Sequence, residues 1–465
     1  MRTKVSITGT VALIFVLTAV AAAQDVAAKA DAYLSTWAQQ GRFSGTVLIA
    51  RGDKILLRKG YGMANFELSV PNSPETVFRI GSITKMFTAF SILQLEERGL
   101  LKVTDPVIKY IPELPQAWSA ITIHQLLCHK SGIQEIMGAK AYGDLDDPRH
   151  VENALKEFAD KPLLSPPGEV LRYSNTGYIL LGRIVEKVSG KSYEDYLTEN
   201  ILKPAGMTHT AFDHGTPMLP NRANGYNFDG ELLINTRPGD AAGAGPAGAL
   251  HSTVDDLHKF DRTLKSGKLF SSAITAKAWS PYGHWVAPPP FNFEAEYGYG
   301  WMLGQNFGHK YVGHGGWVNG FVSQFERYPD DDAVVIVLSN IEASTYIGVT
   351  KDLDAILFEQ PYQVPVLHKV THPDTAILSR YTGDYQMGPL AIKIWMRNGR
   401  LYAQGTGQPT PFGMIAMSDT EFYFNDAASE IRFIVDDKGS VNQFMLKMDG
   451  KEMPVNRVSE MKPGS

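Results

Sequence analysis

Cysteine is almost missing: Cys128 is the single one in 465 residues, so no intrachain disulfide can form and a chain this size must be held by its core. An excess of one charge is missing too. With 44 Lys and Arg against 49 Asp and Glu the net charge is −5, which leaves no basic surplus for a nucleic-acid partner. Long apolar runs are scarce. Val11 to Val20 is the strongest, and it is too short to span a bilayer comfortably. His124, Cys128 and His129 crowd together in ITIHQLLCHKSG, but no carboxylate or further ligand follows at metal spacing. No metal and no cofactor is therefore expected, and Cys128 reads as buried and inert. Gly190, Lys191 and Ser192 imitate the end of a phosphate loop, yet Val185 stands where its first glycine belongs. The Gly-x-Ser-x-Gly elbow is absent around Ser82, because Ile80 and Thr84 occupy the glycine positions, which argues against an α/β-hydrolase.

What is present begins with an export pattern. Arg2 and Lys4 precede the apolar run, and Ala21, Ala22 and Ala23 form a small-residue cleavage site before Gln24. Residues 1–23 are expected to be a signal peptide, leaving a secreted or periplasmic mature chain with no membrane span; no cysteine follows for a lipid anchor. Val26 to Gln39 has amphipathic helical spacing, and FSGTVLIARGDKILLRKGYG reads as a hairpin turning at Arg51, Gly52 and Asp53. From Thr84 to about Leu269 helical patterns and long loops dominate. Strand-like runs then return at Tyr299 to Leu303, Gly320 to Tyr328 and Ala333 to Leu338, followed by a helix from Tyr346 to Phe358. Strands at both ends with helices between predict an α+β domain over 24–360, one antiparallel sheet completed by distant parts of the chain. PYQVPVLHKVTHPD then reads as a linker over 361–376. About eight short alternating runs follow in 377–465, which predicts a small antiparallel barrel or sandwich.

The chemistry concentrates in RIGSITKMFTAFSILQLEERG. Its apolar residues recur at steps of three and four from Thr84 to Gly99, so Ser82 sits at the mouth of a buried helix and Lys85 stacks on the same face a turn later. A serine hydroxyl becomes a nucleophile when a nearby base takes its proton and a positive field favours the alkoxide. Gly81 allows a tight turn there. In PPGEVLRYSNTGY, Tyr173 and Asn175 lie two apart on an extended stretch and point the same way, a phenol and an amide for nucleophile and substrate. In YVGHGGWVNGF, His314, Gly315 and Gly316 fall near the head of a strand, where glycines let another backbone lie close.

Taken in order, Ser82 with Lys85, Tyr173 with Asn175, and His314 with Gly315 and Gly316 resemble the three motifs of the penicillin-recognising serine hydrolases. The likeness is closest to the class C β-lactamase-like branch, with its D-alanyl-D-alanine carboxypeptidases, D-amino-acid peptidases and esterases. LLCHKSGI, PAGMTHT, GALHSTVDDLHKF and YGYGW resemble its spacer phrases, and the likeness covers about Ala28 to Phe358. It implies a β-lactamase/transpeptidase-like fold followed by a lipocalin-like domain, which in relatives can cover the active site or aid assembly, with a passive stabilising role as the alternative here. It also implies that Ser82 is acylated, that Lys85 and Tyr173 share the proton handling, and that Asn175 holds the substrate's acyl-side amide. Held as a cation, Lys85 would depress the phenol's pKa and leave Tyr173 as base; neutral, Lys85 would act itself. The N–H groups of Ser82 and Trp317 would form the oxyanion hole. His314 departs from the Lys-Thr-Gly form and, mostly neutral, is a weaker anion receptor. The expected activity is therefore a D-amino-acid peptidase, carboxypeptidase or esterase on small amides or esters, ahead of a class C-like β-lactamase or a non-catalytic penicillin-binding-like protein. The partner is a small-molecule or peptide substrate, and homo-oligomerisation stays open. Two loops are candidate specificity walls, Tyr142 to His150 and HWVAPPPFNFEAEYGYGW; RPGDAAGAGPAGAL is expected to pack close to the site.

Overall fold

The computed structural model describes residues 8–458 apart from 137–149, 159–160, 216, 230–231, 237–240, 287–293, 343–345, 365–367, 389, 407–410, 425–428 and 449–450. The hairpin forms where turn chemistry placed it. Strands β1 (Gly45–Arg51) and β2 (Lys54–Tyr61) pair antiparallel across Gly52, whose φ of +58° suits glycine.

Six strands from the far end of the domain complete the sheet: β3 (Gly283–Val286), β4 (Glu294–Tyr297), β5 (Met302–Asn306), β6 (His309–Val318), β7 (Phe321–Tyr328) and β8 (Ala333–Ser339). Their order is β3-β4-β5-β6-β7-β8-β1-β2, antiparallel throughout, with β1 against β8 from Gly45 opposite Ser339 to Arg51 opposite Ala333. The central strands are buried on both faces, so they read as apolar runs and their residues divide by parity. Leu48, Val334, Ile336 and Leu338 enter the larger core; Val47, Ile49, Val335 and Val337 enter the smaller one.

The smaller core is roofed by α1 (Thr8–Gln39) and α5 (Tyr346–Leu357), tied by the Tyr33 hydroxyl donating to Asp352 Oδ2 at 2.7 Å. Helix α1 thus starts earlier than the expected Val26. No helix among the described residues is long and apolar enough to cross a membrane. The larger core holds α2 (Thr84–Glu97), α3 (Asn175–Ser189) and α4 (Val254–Ser266). Every residue of α2 from Thr84 to Leu95 is buried, the mark of a helix enclosed on all sides. Phe87 stacks on Phe260 of α4 at 4.4 Å between ring centroids.

Two strand positions differ from the sequence expectation. His314 and its glycines lie inside β6 and not at its head. Strand β5 starts at Met302 and not Tyr299, because Gly300 turns at φ +76° with a Cβ position only 2.6 Å from the Lys85 carbonyl oxygen, pressing this segment onto α2. As a result β5 pairs with β6 only as far as Gly313, and among the described residues β6 has no ladder partner on that side beyond it. That bare edge is where the site forms.

After the short helix Thr375–Leu378, eight strands (383–387, 390–397, 400–405, 412–416, 421–424, 430–435, 441–448 and 451–458) close into a barrel, the last pairing with the first at Asp384 opposite Val458. Tyr381 stacks on Phe433 at 4.0 Å inside it. Arg42 donates to the Phe424 carbonyl at 2.7 Å, joining the barrel to the sheet domain.

Candidate active site

Ser82 lies in a single 3-10 turn, Gly81–Ile83, that leads directly into α2. Gly81 has φ +50°, and a Cβ there would stand 2.7 Å from the Trp317 nitrogen, so the backbone entering Ser82 runs against the bare edge of β6. Gly316 completes this approach. Its Cβ would fall 1.9 Å from the Ile80 carbonyl oxygen, a position open only to glycine, and the Ser323 hydroxyl donates to the same oxygen at 2.8 Å.

Lys85 occupies the first turn of α2 and is 0% exposed. Its Nζ lies 3.0 Å from Ser82 Oγ, 2.8 Å from Asn175 Oδ1 and 2.7 Å from the Ala247 carbonyl oxygen. Burial without an ion pair penalises the ammonium, and the amine falls to about 7 although Glu135 pulls it back upward. The same nitrogen stands 4.8 Å from the centre of the Tyr173 ring.

Asn175 is the first residue of α3 and not part of a loop; Ser174 caps the helix by accepting from the Gly177 N–H at 3.3 Å. Glu135 accepts from the Asn175 N–H at 2.7 Å and from the Thr176 hydroxyl at 3.1 Å. The Tyr173 ring is sandwiched by Trp285, stacked at 5.0 Å, and His129 at 4.3 Å. Burial raises its phenol, and a hydrogen bond with Ser82 only partly offsets that rise.

His314 is buried and neutral. Its Nδ1 donates to the Gly315 carbonyl at 2.6 Å, and its Nε2 accepts from the Tyr297 hydroxyl at 2.9 Å. That hydroxyl in turn accepts from His129 Nε2 at 3.1 Å, while His129 Nδ1 accepts from the Ser174 N–H at 3.1 Å. Each nitrogen has one role, so both tautomers follow from the network. Burial and the neighbouring Lys85 depress His314 to about 3.

A cavity of about 650 Å³ opens over these groups. Its walls bring together Ser82, Tyr173, Asn175, His314, Gly315, Gly316 and Trp317, with Lys85 beneath them. Ala244, Ala247 and Gly248 line it as well, so the small-residue segment does pack at the site. Trp285 and Glu294 come from the aromatic loop, whose residues 287–293 lie outside the described ones, as does nearly all of the Tyr142 to His150 loop. Among the described residues no three His, Cys, Asp or Glu gather to hold a metal ion. Cys128 is fully buried, its thiol pushed up to about 11.

Sequence reasoning missed four contributors. His129 and Tyr297 stood in LLCHKSGI and YGYGW with no role attached. Glu135 had no pattern around it, and the Ala247 carbonyl carries no side-chain signal at all.

Residues 22–355 match the Beta-lactamase family and residues 367–457 a domain of unknown function, DUF3471. Penicillin-binding protein 4* of Bacillus subtilis (strain 168) is 32% identical over 446 residues, covering 90% of this chain and 95% of that protein. Teichoic acid D-alanine hydrolase of Staphylococcus aureus is 30% identical over 335 residues, covering 72% and 79%. The structure of the octameric penicillin-binding protein homologue from Pyrococcus abyssi aligns with a TM-score of 0.63 at 27% identity, covering 90% and 97%. The chain belongs to the Beta-lactamase family and is a serine hydrolase of that fold.

Proposed function

We propose that the protein is exported through the signal in residues 1–23 and hydrolyses small D-aminoacyl esters or amides through an acyl-enzyme on Ser82. The observation that carries this is the buried Lys85 amine, near 7 and 3.0 Å from Ser82 Oγ. Neutral, Lys85 accepts the Ser82 proton as Oγ attacks the acyl carbonyl carbon. The oxyanion settles between the N–H groups of Ser82 and Trp317. Tyr173 keeps its proton at neutral pH, gives one to the leaving group as the C–O or C–N bond breaks, and recovers the proton that Lys85 took from Ser82. Asn175 holds the acyl-side amide. Water then attacks the acyl-enzyme by the reverse route and frees Ser82.

Two relatives support the acyl group, one named as a teichoic acid D-alanine hydrolase and one as a penicillin-binding protein. Neutral His314 supports the peptidase or esterase reading over the β-lactamase one, since it offers no fixed positive charge to a β-lactam carboxylate. A mere binding pocket gains nothing from a lysine buried beside a serine, which speaks against the non-catalytic reading. Assembly of several copies belongs to the same proposal, on the strength of the octameric homologue.

The test is the Ser82-dependent rate on a D-alanyl ester, a D-alanyl-D-alanine peptide and a short-chain p-nitrophenyl ester, with Ser82→Ala as the blank. The expected order places the D-alanyl substrates first, with fluorophosphonate labelling lost in the variant. Rates no higher than the blank on all three would overturn the proposal.

A further inference from the structure

The cavity does not end at Ser82. Beyond the bare edge of β6 it continues onto the opposite face of the sheet, where Gly315 lines it without a side chain; Gly313, of the same parity, lies packed against the Phe325 carbonyl. Across the ladder from these glycines stand Glu326 and Gln324 of β7, and α5 brings Asp354 over them. Glu326 is 6% exposed and Asp354 0%.

Two acids buried side by side are costly unless something compensates them. Their partners here are neutral. Asn306 Nδ2 donates to Glu326 Oε2 at 3.2 Å and to Asp354 Oδ2 at 3.0 Å; Tyr328 donates to Glu326 Oε2 at 3.1 Å, and Gln324 to Glu326 Oε1 at 2.8 Å. Asp354 Oδ1 is buried with no hydrogen-bond partner. Among the described residues no lysine or arginine forms an ion pair with either acid, although Lys351 lies on the same cavity wall. Burial and Glu326 hold Asp354's carboxyl well above the carboxylate range.

We propose that this pocket binds a primary ammonium group carried by the substrate. Asn306 and Gln324 turn their N–H groups toward the acids, so few lone pairs remain for a hard metal ion, which wants six or more oxygens. An ammonium, with three donors, fits the open Oδ1 of Asp354 and the Glu326 carboxyl beside it. Gly313 lies three residues along β6 from Gly316, about 10 Å of strand. The amine therefore sits several bonds from the scissile carbonyl, as on a lysine-type side chain or an aminoalkyl leaving group, and is not the α-amine of the acyl residue.

This inference rests on the acyl-enzyme reading, and the experiment separates the two. The kcat/KM of the wild-type enzyme is compared for the D-alanyl esters of 5-aminopentan-1-ol and pentan-1-ol, in which the α-amine is common to both. A preference of about tenfold for the aminoalkyl ester, expressed in KM and reduced to within about threefold in Glu326→Gln and Asp354→Asn, supports the pocket. A wild-type ratio near one overturns it, whatever the folding of the variants. If neither ester is hydrolysed, the acyl-enzyme reading fails on these substrates, and calorimetry with pentylammonium against pentanol on Ser82→Ala decides the pocket: saturable binding of the ammonium alone supports it, and equal or absent binding overturns it.

Discussion

The Tyr297 hydroxyl stands 2.9 Å from His314 Nε2 and donates to it, because the other nitrogen of His314 is committed to the Gly315 carbonyl. A histidine held this way is an uncharged member of β6, the strand that also carries Trp317, the proposed oxyanion donor. Its charge state is set by burial and by Lys85. Removing the hydroxyl leaves a buried acceptor unpaired, at a cost of about 1–3 kcal/mol. Tyr297→Phe is expected to lower Tm by a few degrees and kcat/KM by about tenfold, while the acid limb of the pH profile stays in place. A loss of rate accompanied by a shifted limb would show that the network sets the base and not the strand.

Lys85 yields a pH prediction with a definite sign. Its folded amine lies near 7, below the ordinary 10.5, so the neutral amine accumulates as pH rises. The kcat/KM profile should climb with unit slope below about 7 and level off above it, and Lys85→Arg, which stays charged, should abolish turnover. Stability is linked to the same group. Between about 7 and 10.5 the unfolded chain binds the proton that the folded chain refuses, so folding gains as pH rises through that window and is constant below it. The Tm of the wild type relative to Lys85→Met should therefore increase from pH 7 to 9.5; a flat difference would mean that the amine is charged in the fold.

Much of this was legible before any coordinates. The spacing of Ser82 and Lys85 is a helix property, and alternation in the last ninety or so residues is a strand property, so local pattern carried both. The state of Lys85 was not legible, since it depends on burial by α3, the 241–247 segment and Tyr173, all distant in sequence. The His129, Tyr297 and His314 chain was hidden for the same reason. Strand β5 was misplaced because Tyr299 and Trp301 have strand-like side chains, while the glycine between them, packed on the Lys85 carbonyl, breaks the run.

Gly316 is a test of the oxyanion geometry. With a Cβ position 1.9 Å from the Ile80 carbonyl oxygen, Gly316→Ala must push β6 away from the turn that holds Ser82. Losing a single oxyanion donor costs about 10²–10³ in kcat. A fall of that order in kcat is expected in protein that still folds, together with slower acylation by a fluorophosphonate. Gly348, whose Cβ position is open, is the control: Gly348→Ala should retain the wild-type rate.

Glu135 acts on Lys85 from one step away. It accepts from the Asn175 N–H and the Thr176 hydroxyl at the start of α3, and its charge pulls the Lys85 amine upward against the burial that lowers it. Neutralising it removes the charge that opposes the burial. Glu135→Gln keeps an acceptor for the helix N–H but withdraws the field, so the ammonium becomes less favourable still. The acid limb of kcat/KM should move to lower pH, giving the variant the higher relative activity at pH 5.5 to 6 even if its plateau is reduced. A limb that stayed in place would mean that Glu135 positions Asn175 and leaves the Lys85 equilibrium alone, and titrating the limb in both proteins under identical salt distinguishes the two outcomes.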